Sequence, residues 1–239
     1  MVRKLKMAKT SNDGFSLLEL LISMTMTITV MGIATALLAQ ALNVRTRTNA
    51  NTDALADAQR AINIMSREIA NAGFNLNSNG IVGGDTATDA HGNSTIRLRS
   101  NGNRFDESVS TEARNGIGVV GEDAGEDFEY FIYRAQNTNL LARYDRYTVA
   151  GGSSTVLANR LDGLHLHYFD QKVSYNTSGC DISGVSAAEV APDVAKYLVI
   201  AVCVELDAVG TPGSAGFQPA KSVLLVSDVA LRNSSLPTY

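Results

Sequence analysis

The first strong feature of the hydrophobic pattern is an almost uninterrupted apolar segment near the N-terminus. Residues 15–39 contain one charged side chain, Glu19. A helix rises about 1.5 Å per residue, so a helix of this length exceeds the roughly 30 Å of hydrocarbon in a bilayer. The pattern therefore predicts a membrane-spanning helix from Phe15 to Ala39.

The pattern then changes from uniformly apolar to amphipathic. Between residues 40 and 73, apolar residues recur at alternating spacings of three and four, which places them on one face of a helix. The set is Leu55, Ala58, Ile62, Met65, Ile69 and Ala72. Gly73 follows, and glycine is favoured just past a helix C-terminus. We therefore expect one continuous helix from about Phe15 to Ala72, whose first half lies in lipid and whose second half covers a sheet.

Beyond the helix, the chain first loses and then regains a regular pattern. Residues 74–125 are rich in Asn, Gly and Asp, which favour turns and loops, with one short strand expected near residues 95–99. From Phe128 onward, apolar and polar positions alternate with a period of two, which is typical of antiparallel strands. The expected strands cover residues 128–133, 140–149, 164–169, 197–206 and 222–231.

The fold class that these patterns predict is α+β, with a long N-terminal helix packed on a C-terminal antiparallel β-sheet. The expected parts are a leader at 1–14, a transmembrane half-helix at 15–39, an amphipathic half-helix at 40–73 and a globular domain at 74–239. Within that domain, residues 74–125 form the irregular part and residues 126–239 the sheet. The length left after the helix suits one globular domain of ordinary size.

The leader before the apolar run is basic. Its charged residues are Arg3, Lys4, Lys6, Lys9 and Asp13. Excess Lys and Arg beside a span keep that side of the membrane in the cytoplasm. We therefore expect a single-pass protein of the cytoplasmic (inner) membrane whose globular domain lies on the periplasmic side. Met7 is an alternative start to Met1 that leaves a short leader, Met7 to Gly14, and the sequence does not choose between the two.

An ordinary secretory signal peptide is the competing interpretation of this N-terminus. Such a signal has an apolar region of about 7–15 residues that ends at a small-residue cleavage site. Here the apolar run is longer and contains Glu19, so a permanent span is favoured. A carboxylate in lipid costs roughly a few kcal/mol and needs a partner. Cleavage between Gly14 and Phe15 would create an α-amino group one helical turn from Glu19, where it would neutralise the acid on its own subunit or on a neighbour.

The residues Gly-Phe-Ser-Leu-Leu-Glu-Leu-Leu at 14–21 resemble the class III signal of type IV pilins and type II secretion pseudopilins. The resemblance implies that a prepilin peptidase cuts after Gly14 on the cytoplasmic side and N-methylates Phe15. It also implies that Glu19 aligns a subunit with its neighbour during assembly. The implied partners are this peptidase and other minor and major pilins that pack through the N-terminal helix.

Weaker resemblances further along the chain concern the kind of pilin-like protein. Residues 64–74 look like the helix end of the PilW family of minor pilins, and residues 161–168 and 229–233 look like strands that this family shares with the J-type minor pseudopilin. The resemblance implies a minor type IV pilin in pilus initiation and at the pilus tip. The alternatives are a minor pseudopilin of a type II secretion pseudopilus and an adhesive or ligand-binding tip subunit that uses the loops at 75–125.

Composition and charge exclude several other classes. The full chain has a net charge of −4, and removing the leader leaves 16 basic and 23 acidic residues, a net charge of −7. A nucleic-acid groove needs clustered positive charge, so no nucleic-acid partner is expected, although Arg97, Arg99 and Arg104 could form a local basic patch. The chain lacks the GxSxG, GxxxxGK[ST], HExxH and GxGxxG motifs. We therefore expect no enzyme activity and no cofactor, but a substrate of the peptidase.

The two cysteines, Cys180 and Cys203, do not form a CxxC motif, which argues against haem attachment and a zinc finger. Cys180 lies in a polar loop and Cys203 in the strand at 197–206, on the face opposite its Leu, Ile and Val residues. In an oxidising periplasm an even pair invites a disulfide. The alternative is two unpaired thiols, one packed and one exposed.

Three groups of side chains have metal-ligand chemistry, but none has a recognisable ligand spacing. His165 and His167 share one face of a strand, and the sequence offers no third ligand beside them. The two acidic runs are Asp85, Asp89 and Asn93, and then Glu122, Asp123, Glu126 and Asp127. Their oxygen atoms would suit calcium, but the EF-hand spacing is absent. We therefore expect solvated loops and surface histidines, and no metal site.

Overall fold

The computed structural model describes residues 16–74, 76, 78–82, 88–89, 92–101, 125–136, 138–147, 152–213 and 217–233. The chain divides into two compact units, Met1–Thr46 and Arg47–Tyr239, and the boundary between them falls inside helix α1, Leu17–Asn71. The long helix that the hydrophobic pattern predicts is therefore confirmed. The leader and Phe15, where the predicted helix starts, lie outside the described residues.

Helix α1 ends where the backbone requires a glycine. Gly73 has φ +74°, and a Cβ added there would lie 2.4 Å from the carbonyl oxygen of Ser78. The Gly73 N–H donates to the carbonyl of Arg99 at 2.8 Å, which ties the end of the helix to the first strand. The positive φ and the close approach together leave room only for a residue without a side chain. The predicted glycine stop is thus confirmed, and the helix itself ends at Asn71, one residue before the predicted Ala72.

Nine strands follow the helix within the described residues. They are β1 Ile96–Arg99, β2 Asp127–Ala135, β3 Thr138–Asp145, β4 Ser153–Asn159, β5 Leu161–Phe169, β6 Asn176–Ser178, β7 Asp181–Ser183, β8 Tyr197–Leu206 and β9 Lys221–Ala230. All pairings between these strands are antiparallel, in sheets of order β1-β2-β3-β4, β5-β8-β9 and β6-β7. The α+β class with antiparallel strands is therefore confirmed.

Several strand boundaries differ from the predicted ones. Strand β8 has the predicted bounds, but β5 begins three residues earlier than predicted and β3 two residues earlier. The early start of β3 follows from a tight turn at Gln136, whose φ is +48°. Strand β4 and the short β6-β7 hairpin were not predicted at all. Strands β4 and β6 are rich in Ser, Thr and Asn and are largely exposed, and β7 is only three residues long, so the sequence does not show the run of alternating apolar residues that marks a strand.

The main core lies between the C-terminal part of α1 and the two larger sheets of the same unit. The helix contributes the predicted stripe, which is buried from Ala58 to Ala72, together with Ala54 and Ala61, while Leu55 is partly buried. Burying side chains of the size of Ile62 and Met65 stabilises a fold by about 1.5–3 kcal/mol each. This stripe fixes which helix face remains available to other partners.

Strand β8 is buried on both faces, which corrects the expectation of a single core face. Leu198 and Ile200 lie in the main core, as predicted. Val199, on the opposite face, is fully buried in a second cluster with Phe169, Val173, Ile182 and Tyr197. The second cluster forms because the segment between β5 and β8 folds back over the sheet, where Val190 N–H bonds to the Tyr168 carbonyl at 2.9 Å.

Candidate functional site

The N-terminal part of α1 is long and apolar enough to cross a membrane, and none of its most apolar stretch is buried. Leu17 is 82% exposed, and the large side chains that follow it are also exposed. Exposed apolar surface on this scale is typical of a segment that contacts lipid or other protein helices. The helix is therefore suited to serve as a membrane span or a signal anchor.

Hydroxyl side chains in this stretch are satisfied by the helix itself. Thr27 donates to the carbonyl of Ser23 at 2.7 Å, Thr29 to Thr25 at 2.8 Å and Thr35 to Met31 at 2.7 Å. A hydroxyl bonded to its own backbone loses little when water is removed, because it keeps a hydrogen-bond partner. The threonines are therefore compatible with insertion into lipid.

Glu19, the predicted assembly residue, lies in the first turn of α1 and is exposed. Its backbone N–H donates to Ser16 Oγ at 3.3 Å, so Ser16 acts as the N-cap of the helix. A Ser followed three residues later by Glu is also the pattern of a capping box. Sequence reasoning missed this local role. Gly14 and Phe15, the predicted processing site, lie outside the described residues.

The exposed face of α1 in the second unit carries charges in a regular order. Asp53, Arg60 and Arg67 are exposed and lie seven residues apart, and Ala56 lies between the first two. Seven residues are close to two helical turns, so these side chains share one face at intervals of about 10.5 Å. None of the three forms an ion pair with a described residue. We call Asp53, Ala56, Arg60 and Arg67 the outer stripe. It is directed away from the buried stripe and is open to a partner.

A disulfide joins Cys180 to Cys203, with their Cα atoms 5.2 Å apart. It ties the turn between β6 and β7 to the buried strand β8. Asp162 Oδ2 lies 3.5 Å from Cys180 Sγ and 3.7 Å from Cys203 Sγ, and it accepts a hydrogen bond from Ser222 Oγ at 2.9 Å. Bonded sulfur atoms are not thiolates, so these three residues do not offer the ligands that a soft metal needs.

His165 and His167 lie on the same face of β5, as predicted, and the fold brings two carboxylates to them. His167 Nε2 lies 2.7 Å from Asp181 Oδ1, and His167 Nδ1 lies 2.6 Å from Glu189 Oε1. His165 Nδ1 lies 3.9 Å from the other oxygen of Asp181. Burial by itself would lower the pKa of His167, but the hydrogen bonds and charges of Glu189 and Asp181 outweigh burial and raise it.

A second group of charges joins the helix to the first sheet. Arg143 Nε donates to Glu68 Oε2 at 3.0 Å, and Tyr130 also donates its hydroxyl to Glu68. The Arg143 guanidinium stacks over the Phe128 ring, 4.3 Å from its centroid. Burial and the neighbouring Glu68 raise the pKa of Tyr130 well above its usual range. The phenol therefore stays protonated and acts here as a structural donor.

The acidic residues considered for calcium are engaged with protein groups where the structure describes them. Both carboxylate oxygens of Asp89 accept hydrogen bonds from Asn93, at 2.8 and 3.1 Å. Asp127 accepts hydrogen bonds from Arg97 and Arg99, so two of the three arginines of the predicted basic patch are neutralised in part. Asp85, Arg104, Glu122 and Asp123 lie outside the described residues.

Comparisons of the chain with protein-family models, with curated proteins and with solved structures found no match.

Proposed function

We propose that the protein is a membrane-anchored structural subunit of a helix-packed filament, and specifically a minor type IV pilin of the PilW kind that takes part in initiating pilus assembly. The observation that carries this proposal is the first part of α1. It is an exposed apolar helix with Glu19, its one charge before residue 40, in its first turn. Such a helix suits both anchoring in lipid and packing against equivalent helices.

The position of Glu19 supports a role in assembly. A carboxylate at the beginning of an apolar helix has no charged partner among the described residues, and its burial among other helices would be costly without one. Cleavage after Gly14 would create a positively charged α-amino group at Phe15. This group is opposite in charge to Glu19 and about one helical turn away from it. We propose that Glu19 pairs with this terminus of its own or a neighbouring subunit.

The two units of the chain are suited to different roles, membrane anchoring and a folded domain outside the membrane. The first unit has an apolar surface that is compatible with lipid. The second unit has its own hydrophobic core, and its described residues include three antiparallel sheets and one disulfide. Disulfides persist in oxidising compartments, which supports placing the second unit on the periplasmic side. The outer stripe then becomes a second packing surface of the helix beyond the membrane.

The direct test is N-terminal sequencing and mass measurement of the mature protein purified from its native membrane. The proposal expects a chain that begins at N-methylated Phe15. A chain that begins at Met1 or Met7, or one that is released by cleavage beyond Ala39, would contradict it. Deleting the gene then separates two assemblies: loss of surface pili supports the pilus, whereas loss of protein secretion with normal pili supports a secretion pseudopilus instead.

A further inference from the structure

Asp162 occupies an irregular position near the start of strand β5. Leu161 pairs with Val204 on β8. The next pair along the two strands is Gly163 with Cys203, so Asp162 is the extra residue of a β-bulge. A bulge sets two consecutive residues opposite one residue of the neighbouring strand, and it often redirects a side chain. Here the bulge brings the Asp162 carboxylate to the face of the sheet that carries the Cys203 sulfur.

One oxygen of this carboxylate lies near both sulfur atoms of the disulfide. Asp162 Oδ2 is 3.5 Å from Cys180 Sγ and 3.7 Å from Cys203 Sγ. The Ser222 hydroxyl on β9 donates to the same oxygen at 2.9 Å, which fixes its position. Before the disulfide forms, a thiol at either cysteine therefore has this oxygen as an acceptor for its S–H group.

The two cysteines differ in their access to solvent. Cys203 is fully buried, Cys180 is partly exposed and Asp162 is exposed. A thiol must lose its proton before its sulfur can attack a disulfide. Cys180 can meet an oxidant and lose its proton at the surface, whereas the Cys203 thiol is shielded from water. Asp162 connects that buried thiol to solvent, because its carboxylate contacts the sulfur and belongs to an exposed side chain.

We infer that Asp162 is the proton acceptor that completes formation of the Cys180–Cys203 disulfide. In the first step the Cys180 thiolate attacks a disulfide-bonded oxidant, so that a mixed disulfide forms and one oxidant thiolate leaves. Cys203 then gives its proton to Asp162, and its thiolate attacks the Cys180 sulfur and displaces the second oxidant thiolate. The protein loses two electrons and two protons, and the oxidant is reduced to two thiols. This inference does not depend on the proposed filament role.

Two other carboxylates lie near the cysteines in the chain, and neither is placed to take this proton. Asp181 follows Cys180 directly, but its Oδ1 lies 2.7 Å from His167 Nε2 and is engaged there. Glu205 lies two residues after Cys203 on the same face of β8 and is exposed. No contact among the described residues joins the Glu205 carboxylate to either sulfur, so Glu205 provides a matched control.

The test follows disulfide closure in the full chain in detergent, after reduction without denaturant and removal of the reductant. One equivalent of the chromogenic disulfide dithiobis-nitrobenzoate releases a first coloured thiolate when the mixed disulfide forms, and a second when Cys203 displaces it. The second release should be slower by about tenfold or more in Asp162→Asn, because a positioned base typically accelerates a proton transfer by about 10²–10⁴-fold. Glu205→Gln removes a carboxylate from the same face and should leave both releases unchanged.

A second measurement uses the unmodified protein, so it does not depend on whether a variant folds. With Asp162 as proton acceptor, the rate of the second release should change by less than about threefold per pH unit between pH 7 and pH 8.5. Without an acceptor, the rate should rise by about tenfold per pH unit, because only the thiolate attacks. His165 is the titratable side chain beside the bulge, since a Cβ added at Gly163 would lie 3.0 Å from its Nε2, and His165→Gln should keep the flat profile.

Three results would overturn the inference. The first is a second release that is as fast in Asp162→Asn as in the unmodified protein, and the second is equal slowing by Glu205→Gln. The third is a tenfold rise in rate per pH unit in the unmodified protein. Loss of the flat profile in His165→Gln would likewise assign the proton to that imidazole instead of Asp162.

Discussion

Arg97 and Asp127 form a bidentate ion pair in the interior of the first sheet. Arg97 Nε donates to Oδ1 and Nη2 to Oδ2, both at 2.7 Å, and Asp127 is 1% exposed. Arg99 adds a third donor at 3.2 Å. Burial by itself would raise the pKa of Asp127, but the two arginines outweigh burial and lower it. Strands β1 and β2 are therefore joined by charge as well as by backbone pairing.

Replacing Asp127 with Ala should destabilise the second unit by about 3–5 kcal/mol, because it leaves the buried Arg97 guanidinium without its carboxylate. Glu129→Ala is the matched control on the same strand. Glu129 pairs with Arg146 at 3.6 Å nearer the surface, so its loss should cost less than about 1 kcal/mol. Urea unfolding of the full chain in detergent, followed by tyrosine fluorescence, measures both. Equal effects of the two variants would contradict this account of the pair.

Removing both cysteines as Cys180→Ser with Cys203→Ser should lower the unfolding free energy by about 3 kcal/mol, because the bridge closes a loop across a sequence separation of 23 and restricts the unfolded chain. Reduction of the unmodified protein with dithiothreitol should give a similar loss, and the double variant should not respond to reductant. Thermal melts with and without reductant provide the measurement. Insensitivity of the unmodified protein to full reduction would refute the stabilising role.

The ion pairs of His167 with Asp181 and Glu189 should make stability depend on pH. The pKa of His167 is raised above 6.5, so the folded state binds the proton more tightly than the unfolded state. The stabilisation that the protonated His167 gives to the folded state is complete below pH 6.5, and it is lost as the pH rises through the folded-state pKa. The difference in melting temperature between the unmodified protein and His167→Gln should therefore shrink from pH 5.5 to pH 9. A difference in melting temperature that stays constant or grows with pH would contradict the predicted direction of this pH dependence.

Two substitutions at Glu19 separate its charge from its local role at the helix start. Glu19→Gln keeps a side chain that suits a capping box, whereas Glu19→Ala does not. If the charge matters for assembly, both variants should insert and be processed normally, yet both should be depleted from sheared filaments. Immunoblots of membrane and filament fractions measure this. Normal incorporation of Glu19→Gln together with failure of Glu19→Ala would assign the residue to capping and remove the acid–amine pairing.

The outer stripe should take part in packing between parallel copies of α1. If two parallel copies of the helix packed in register, each charged residue would face the same residue of the other copy. A shift of seven residues instead places Asp53 of one copy beside Arg60 of the next. Arg60→Glu should therefore reduce incorporation, and adding Asp53→Arg in the same chain should restore part of it. Exposed ion pairs contribute about 0.2–1 kcal/mol, so an effect up to about fivefold is expected for one contact. Gln59→Glu, beside the stripe, is the control, and failure of Asp53→Arg to rescue would argue against this pairing.

The elements that could be predicted from the sequence are those whose signals are local. The apolar run, the stripe from Leu55 to Ala72, the stop at Gly73 and the bounds of β8 all depend on side chains that are neighbours along one helix or strand. Such periodicity is set by backbone geometry, so it can be read before the fold is known. The capping pattern of Ser16 and Glu19 is equally local, but it was not predicted, because the residues around it were interpreted only as part of an apolar run.

The contacts between groups that are distant along the chain could not be predicted, because they depend on how the whole chain packs. Arg97 and Asp127, or His167 and Asp181, come together because of strand register and loop path, and neither leaves a spacing signal in the chain. The burial of β8 on both faces likewise depends on a loop that folds back over the sheet. Local pattern specifies which face of an element is apolar, whereas the free energy of packing the whole chain selects what covers that face and which charges are buried with it.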